Sequence, residues 1–212
     1  MFASTKIYGC LADPIDHVKA PTIFTSIFKK KNIDAVMVPI HVDKNNLQNV
    51  VFSLKKIKNF EGMTVTIPHK TSIANLCDHL EQDAEFTKSV NWVKFDKDRK
   101  LIGNNFDGQG FVTGFLAQNF LIKNKKVCIF GAGGAAVSIA YSLVKQKIKS
   151  LIIINRNVDK ANELMNKVTR LDKNLSVEVK THKDNFLLND SDIIINATSL
   201  GLRKNDRLPF DV

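Results

Sequence analysis

The sequence is poor in cysteine, tryptophan and tyrosine, and it contains no long hydrophobic run. Its 212 residues include three cysteines, one tryptophan and two tyrosines. The cysteines, Cys10, Cys77 and Cys128, are odd in number, widely spaced and set among apolar residues. This pattern excludes a disulfide framework and a cysteine-based metal motif, so we expect reduced, packed thiols and no bound metal.

No apolar run reaches the roughly 18 residues that suggest a membrane span. Residues 1–6 lead into a strand-like segment and lack the pattern of a secretory signal. With 44% hydrophobic and 25% charged residues, the composition is that of an ordinary globular protein. We therefore expect a cytoplasmic monomer or homodimer of one large or two small domains, without membrane contact.

Acidic residues are scarce relative to basic ones, 21 against 31, which gives a net charge of +10. The densest basic clusters, residues 29–31 and 55–58, fall at predicted helix C-termini, where the helix dipole favours cations. Neither cluster is interleaved with the aromatic residues on which a single-strand binder stacks bases. We expect a solvated basic surface and no nucleic-acid partner, although the positive field also favours anionic ligands.

A glycine-rich turn is the strongest single motif in the chain. Residues 127–130 are β formers, residues 131–136 read Gly-x-Gly-Gly-x-Ala, and a helical apolar pattern follows. In such a turn Gly131 permits the sharp bend, Gly133 lets the backbone approach a pyrophosphate, and Ala136 allows close packing of helix and strand. The helix N-terminus offers N–H groups and partial positive charge to phosphates. The plain alternative is a strand–helix turn without a ligand.

The identity of the nucleotide is indicated by the second strand of this unit. Residues 151–154 form an apolar run that ends at Asn155 and Arg156. NAD sites usually carry an acid here for the ribose 2′-hydroxyl, whereas an arginine accommodates a 2′-phosphate. The sequence therefore predicts NADP. The missing acid also argues against a methyltransferase, a further possibility for a glycine-rich turn.

Strand-like and helical segments alternate along the whole chain, which predicts two α/β domains with mostly parallel sheets, a cleft between them and a boundary near residue 124. Predicted strands are residues 7–12, 35–40, 62–67, 127–130, 151–154, 176–179 and 192–196, with a hairpin at 90–102. Predicted helices include residues 21–31, 47–57, 108–120 and 159–168.

Three polar residues of the first half lie where open α/β sheets form their sites. Lys70 follows a strand stopped by Pro68, and a partly desolvated amine can act as an acid or base. Asp107 precedes a helix, so it is either a site residue or a cap. Asn91 is either a ligand contact or a satisfied buried amide. For Lys70 the plain alternative is a solvated lysine at a helix start.

Taken together, these segments resemble the shikimate dehydrogenases in order and spacing, over nearly the whole chain. The matching segments are Asp13-Pro14-Ile15-x-His17, Val65-Thr66-Ile67-Pro68-x-Lys70, Ser89-Val90-Asn91, Asn105-Phe106-Asp107-Gly108-x-Gly110, Gly131-Ala132-Gly133-Gly134-Ala135, Asn155-Arg156 and Asn196-Ala197-Thr198-x-Leu200-Gly201. Several motifs in register are far more specific than a glycine turn alone.

The resemblance implies a substrate-binding domain (1–107), a connecting helix and linker (108–124) and a Rossmann-type NADP-binding domain (125–212). It implies reversible hydride transfer at a ring carbinol, of shikimate or a related cyclic hydroxy acid. Lys70 matches the catalytic lysine, and Asp107 matches the aspartate that shares the reacting hydroxyl. Thr66 and Asn91 match residues that hold ring hydroxyls. The cofactor contacts implied are Gly131, Ala132, Gly133, Gly134 and Ala135 under the pyrophosphate, Asn155, Arg156 and Lys160 near the 2′-phosphate, and Thr198 and Leu200 beside the nicotinamide.

The sequence departs from the family pattern at two places in its first half. Where the family has His-Ser-x-Ser-Pro, with two serine hydroxyls on the substrate carboxylate, this chain has Val18 and Ala20 at the substrate-binding positions. Phe106 replaces a threonine of the family. We therefore expect shikimate to be a poor substrate and the preferred one to carry a smaller, displaced or absent carboxylate.

The sequence ends at Val212, before the glycine, tyrosine and glutamine segments that complete the family's contacts, and without such segments the cleft would be incomplete. An alternative function is therefore a non-catalytic regulator that binds a nucleotide or metabolite. The missing serines favour this alternative, whereas the retention of Lys70 and Asp107 opposes it.

Overall fold

A computed structural model describes residues 2–182, 184, 188–201 and 205–209. The chain divides into two compact units, Met1–Phe106 and Asp107–Val212. Each unit is an α/β structure around its own sheet. The prediction of a two-domain α/β fold is confirmed.

The first unit is built on a mixed six-stranded sheet in the order β2-β1-β3-β5-β6-β4. Its elements are β1 (Lys6–Ala12), α1 (Ala20–Lys30), β2 (Ala35–His41), α2 (Leu47–Leu54), β3 (Phe60–Val65), α3 (Lys70–Ala74), β4 (His79–Leu80), α4 (Gln82–Thr87), β5 (Trp92–Phe95) and β6 (Leu101–Asn104). Strands β1, β2 and β3 are parallel, whereas β5 runs antiparallel to both β3 and β6. The predicted hairpin is confirmed as β5 and β6.

The two faces of this sheet are packed differently. One face carries the main apolar core, to which α2 contributes Leu47 and Val51. The other face is covered by α1, which has no fully buried residue. Phe24 and Phe28 of α1 instead pack on Tyr8 and Trp92 of the sheet, and aromatic contacts of this kind add to the stabilisation from burial.

The second unit contains a four-stranded parallel sheet in the order β10-β7-β8-β9. Its elements are α5 (Asp107–Ala117), β7 (Lys126–Phe130), α6 (Gly134–Lys145), β8 (Ser150–Ile154), α7 (Val158–Leu171), β9 (Ser176–Lys180), a 3-10 turn (Leu188–Asp190) and β10 (Ile193–Asn196). Strands β7, β8 and β10 contain continuous apolar runs, as expected of a parallel sheet that is covered on its faces, whereas the edge strand β9 alternates polar and apolar residues.

Helix α5 packs against α6 within the second unit. A Cβ atom at Gly108 would lie 2.0 Å from the carbonyl oxygen of Ser138, and the Gly108 amide donates to the Ser138 hydroxyl at 2.9 Å. Only a glycine allows two helices to approach this closely. The helix predicted as a connection is therefore part of the second unit in the structure.

The three cysteines are free, with Cys10 and Cys128 buried and Cys77 half-buried. Burial raises the pKa of both Cys77 and Cys128 to about 11, so these thiols stay protonated at neutral pH. Among the described residues, no helix is both long enough and apolar enough to cross a membrane.

Candidate active site

Two of the predicted site residues of the first unit follow β3. The Thr66 amide donates to the Leu11 carbonyl at 3.0 Å, so the chain continues beside β1 beyond the end of β3. Lys70 is half-buried and is the first residue of α3. Its carbonyl accepts a hydrogen bond from the Val90 amide at 2.9 Å, which ties Lys70 to the residue before Asn91. The structure thus brings the backbones of Lys70 and Asn91 together.

Asn91 is half-buried and is held on both sides of its peptide unit. Its amide donates to the Asn104 carbonyl at 3.0 Å, and its carbonyl accepts from the Val65 amide at 2.9 Å. The side-chain oxygen accepts from the Phe106 amide at 3.0 Å. Asn91 therefore has a structural role through its oxygen, and its contact with substrate stays a prediction.

Two buried residues of this region were not predicted as site residues. His69 has no solvent exposure, and its Nε2 lies 2.7 Å from the Val42 carbonyl, which can only accept. Its Nδ1 is buried and has no hydrogen-bond partner among the described residues. Asn105 is also buried and donates to the Ser89 carbonyl at 3.2 Å. Both side chains hold the backbone beside predicted site residues.

Val18 and Ala20 lie at the start of α1. The Val18 amide donates to the Ile15 carbonyl at 3.0 Å, and Ala20 is the first residue of the helix. Both are half-buried. Lys19, at the N-cap between them, is exposed and makes no side-chain cap hydrogen bond. The structure therefore presents two apolar side chains where the family pattern has hydroxyls.

Asp107 is the first residue of α5 and of the second unit, and it is half-buried. The residue before it, Phe106, is the one whose amide is held by Asn91. A position inside the first helical turn does not match the predicted capping position, which precedes a helix. A carboxylate in the first turn is nevertheless favoured by the helix dipole.

The glycine-rich turn has the shape that a pyrophosphate requires. Gly131 has φ +109°, and a Cβ atom there would lie 2.9 Å from the Ala197 carbonyl oxygen. Added Cβ atoms at Gly133 and Gly134 would meet nothing within 4 Å. Gly133 is the N-cap of α6 and supplies no side-chain cap. Open space therefore faces an uncapped helix N-terminus, the arrangement that binds phosphates.

A pocket of about 390 Å³ opens at this turn. It is lined by Gly131, Ala132, Gly133, Asn155, Arg156, His182, Ala197, Thr198, Ser199 and Leu200. The structure thus brings together seven residues predicted to contact cofactor, from the ends of three strands. Gly134, Ala135 and Lys160 are predicted contacts that are exposed at the helix starts and do not line this pocket.

The loop after β10 is fixed by its own side chains. The Asn196 Oδ1 atom accepts from the Thr198 hydroxyl at 2.7 Å, and the Thr198 hydroxyl accepts from the Leu200 amide at 3.0 Å. The Asn196 side chain also donates to the Leu200 carbonyl at 2.8 Å. Thr198 and Leu200 therefore form one rigid side of the pocket.

The opposite side of the pocket is formed after β8. The Asn155 amide donates to the Lys180 carbonyl at 3.1 Å, and its side chain donates to the Asn157 carbonyl at 2.7 Å. Arg156 next to it is exposed. A guanidinium at this place fits a 2′-phosphate, because it presents fixed donors to phosphate oxygens. The open turn and this arginine together fit NADP.

Two family profiles match the chain. Residues 10–93 match the shikimate dehydrogenase substrate binding domain, and residues 115–202 match shikimate / quinate 5-dehydrogenase. A curated relative, shikimate dehydrogenase (NADP(+)) of Methanocaldococcus jannaschii, is 36% identical over 204 residues, which cover 96% of this chain and 71% of the relative.

Solved structures agree with these matches. A shikimate dehydrogenase in complex with NADP+ is similar with a TM-score of 0.88 and 32% identity, covering 100% of this chain and 73% of the other. The ligand-free 5-ketofructose reductase of Gluconobacter sp. strain CHM43 is similar with a TM-score of 0.87 and 28% identity, covering 97% and 73%. By sequence and by fold, the chain belongs to the shikimate dehydrogenase family.

Proposed function

We propose that the chain is an NADP-dependent oxidoreductase that transfers a hydride reversibly between the cofactor and a ring carbinol or ketone. The substrate is shikimate with 3-dehydroshikimate, or a related cyclic hydroxy acid. The first unit binds the substrate and the second binds NADP. This function rests on the chain's family, in which the curated relatives carry the name shikimate dehydrogenase (NADP(+)).

The observation that carries the cofactor assignment is the pocket at the glycine turn. Backbone atoms of the glycine turn line this pocket, and the space next to Gly133 is open. The N–H groups at the start of α6 are therefore available to bind a pyrophosphate. Arg156 on one side supplies positive charge for a 2′-phosphate, and Thr198 on the other side is rigidly held. No carboxylate lines this pocket among the described residues, so nothing there repels a 2′-phosphate.

The catalytic roles are assigned to Lys70 and Asp107. When bound, NADP would supply the hydride acceptor for oxidation, and its reduced form would supply the hydride donor for reduction. Lys70 accepts the proton of the carbinol hydroxyl during oxidation and returns it during reduction. Asp107 orients that hydroxyl and stabilises the ammonium form of Lys70. Thr66 and Asn91 hold the other ring hydroxyls in place.

The alternative function, a non-catalytic regulator that binds a nucleotide or metabolite, is not favoured by the relatives that the chain matches. It nevertheless makes a different prediction, because it requires that the protein bind its nucleotide or metabolite without turning over any ring substrate. The two functions therefore separate in an activity measurement.

Cofactor choice is tested by titrating the protein with NADP and with NAD. Charge-assisted hydrogen bonds to a 2′-phosphate contribute about 1.5–3 kcal/mol each, so we expect NADP to bind at least roughly tenfold more tightly. Arg156→Gln should remove most of this preference and leave NAD affinity nearly unchanged. Arg170→Gln, at the exposed C-terminal end of α7, is the matched control. Equal wild-type affinities, or tighter NAD, would overturn the assignment.

A further inference from the structure

His182 lines the pocket at the glycine turn, although nothing in its sequence context indicates a cofactor role. It lies two residues beyond β9 and is exposed. Its ring is stacked on Phe130, with centroids 6.2 Å apart and planes 29° apart. Phe130 is fully buried at the end of β7. One side of the imidazole therefore rests on the core, while the ring remains accessible from the pocket.

The strand order places the backbone of His182 on the far side of the pocket from the β10 loop, and its ring reaches back toward Phe130 at the end of β7. Reading across the sheet as β10-β7-β8-β9, the strand ends carry Thr198, the glycine turn, Arg156 and His182 in turn. Neighbouring strands are about 4.8 Å apart. A dinucleotide with its pyrophosphate at β7 and its adenosine ribose at β8 would therefore extend its base toward the β9 side of the pocket.

The segment that carries His182 is held by a local hydrogen-bonded turn. The Asp184 Oδ2 atom accepts from the Thr181 amide at 2.6 Å and from the Thr181 hydroxyl at 2.9 Å. These hydrogen bonds lower the pKa of Asp184, and the one from the Thr181 amide has the larger effect. The Asp184 carboxylate is therefore ionised at neutral pH. Asp184 thereby holds Thr181, the residue before His182, which favours a defined ring position.

We propose that His182 is the stacking platform for the adenine base of the bound cofactor. The inference rests on the proposed NADP function. It adds that the base and the 2′-phosphate are recognised by different residues. Arg156 reads the phosphate, and the aromatic face of His182 binds the base. Stacking needs a flat ring and not a particular charge, so phenylalanine should replace His182 in this role.

The alternative is that the imidazole contacts the 2′-phosphate beside Arg156. The two interactions differ in which ligands lose affinity when the ring is removed. Loss of stacking weakens every adenine nucleotide equally, whereas loss of a phosphate contact weakens only those with a 2′-phosphate.

The test measures dissociation constants of wild type, His182→Ala, His182→Phe and the control His79→Ala for four probes. The control removes an exposed histidine of β4 in the first unit. The probes are NADP, NAD, adenosine 2′,5′-bisphosphate and nicotinamide mononucleotide. We expect His182→Ala to weaken the first three by a similar factor, about five- to a hundredfold, and to leave the mononucleotide unchanged. His182→Phe and His79→Ala should bind like wild type.

The inference is overturned if His182→Ala binds all probes like wild type, if its loss is confined to the 2′-phosphate ligands, or if His182→Phe is as weak as His182→Ala. A wild-type protein that binds neither NADP nor adenosine 2′,5′-bisphosphate contradicts the proposed function itself. Tight wild-type binding with an unaffected alanine variant contradicts the role of His182 alone.

Discussion

We expect substrate choice to depend on two residues at the start of α1. Val18 and Ala20 are half-buried there and carry no hydrogen-bond donor in their side chains. Two hydrogen bonds to a carboxylate would contribute roughly 3–6 kcal/mol together. Their absence favours a ring substrate whose carboxylate is smaller, displaced or absent. A structural relative is named for 5-ketofructose, a keto sugar without a carboxylate, so this fold also occurs in a protein named for a neutral substrate.

Restoring both hydroxyls tests this account. Val18→Ser combined with Ala20→Ser should lower the Michaelis constant for shikimate by about a hundredfold to ten-thousandfold. Turnover should change much less, because the restored contacts hold substrate and transition state equally. Ile23→Ser, an exposed position of the same helix, should change neither constant. A wild-type Michaelis constant for shikimate that is already low would instead assign the carboxylate to Lys19 or to backbone groups.

Site residues could be predicted where a sequence motif contains them, but not where only the tertiary structure brings them to the site. Thr66, Lys70 and Asn91 follow from their motifs, and the structure holds their backbones in one hydrogen-bonded network. His69 and His182 could not be recognised in the same way. The burial of the His69 ring depends on the Val42 carbonyl, 27 residues away, and the place of His182 depends on strand order.

The glycine turn between β7 and α6 combines a backbone conformation that requires glycine with open space for a cofactor. Gly131 combines φ +109° with a neighbouring carbonyl oxygen that a Cβ would approach to 2.9 Å. Each of these conditions disfavours any other residue. The same turn leaves Gly133 and Gly134 in open space, so the strained residue and the open positions lie within four consecutive residues.

Gly131→Ala is therefore expected to lower the free energy of unfolding by about 1–3 kcal/mol and to weaken NADP binding. The control is Gly114→Ala, in the exposed part of α5, where a Cβ meets nothing within 4 Å. That substitution should stabilise the protein by about 0.5–1 kcal/mol. Chemical unfolding of both variants measures the difference. Gly131→Ala as stable as wild type would contradict the strain at this turn.

Long elements with a clear period were predicted well, and short or unevenly buried ones were not. The strands around residues 127–154 agree within a residue because their apolar runs are continuous. Strand β4 was missed because two residues show no period. The first sheet is mixed, since the hairpin inserts β5 antiparallel to β3, and no sequence pattern indicated that neighbour.

At the scale of the whole molecule, carboxylates fix the sheet edges in an otherwise basic chain. Asp78 accepts from the Leu101 amide at 2.7 Å and lies 3.5 Å from the Lys55 ammonium. Asp192 accepts from the Lys126 amide at 2.7 Å and pairs with Lys125 at 3.2 Å. The pKa of each carboxyl is lowered mainly by the hydrogen bond from the backbone amide and further by the nearby lysine.

Because the folded pKa of both groups lies below the ordinary value of 3.8, their stabilisation is present above that value and is lost as the pH falls through the folded pKa. The melting temperature should therefore fall steeply below pH of about 4. The double variant Asp78→Asn, Asp192→Asn should have a lower melting temperature than wild type at neutral pH. This difference between the two proteins should disappear in acid. Asp98→Asn, in the exposed β5–β6 turn, is the control. A difference that persists undiminished in acid contradicts the role of these carboxylates.

The most direct test of the central claim is hydride transfer by the protein. Nicotinamide absorbance is followed with NADP and a panel of cyclic hydroxy acids, for wild type, Lys70→Ala and the exposed control Lys97→Ala. We predict substrate-dependent NADP reduction by wild type and by the control, and turnover lower by about 10²–10⁴-fold in Lys70→Ala, with NADP affinity nearly unchanged. Tight NADP binding without reduction by any substrate, or full turnover in Lys70→Ala, would contradict the account.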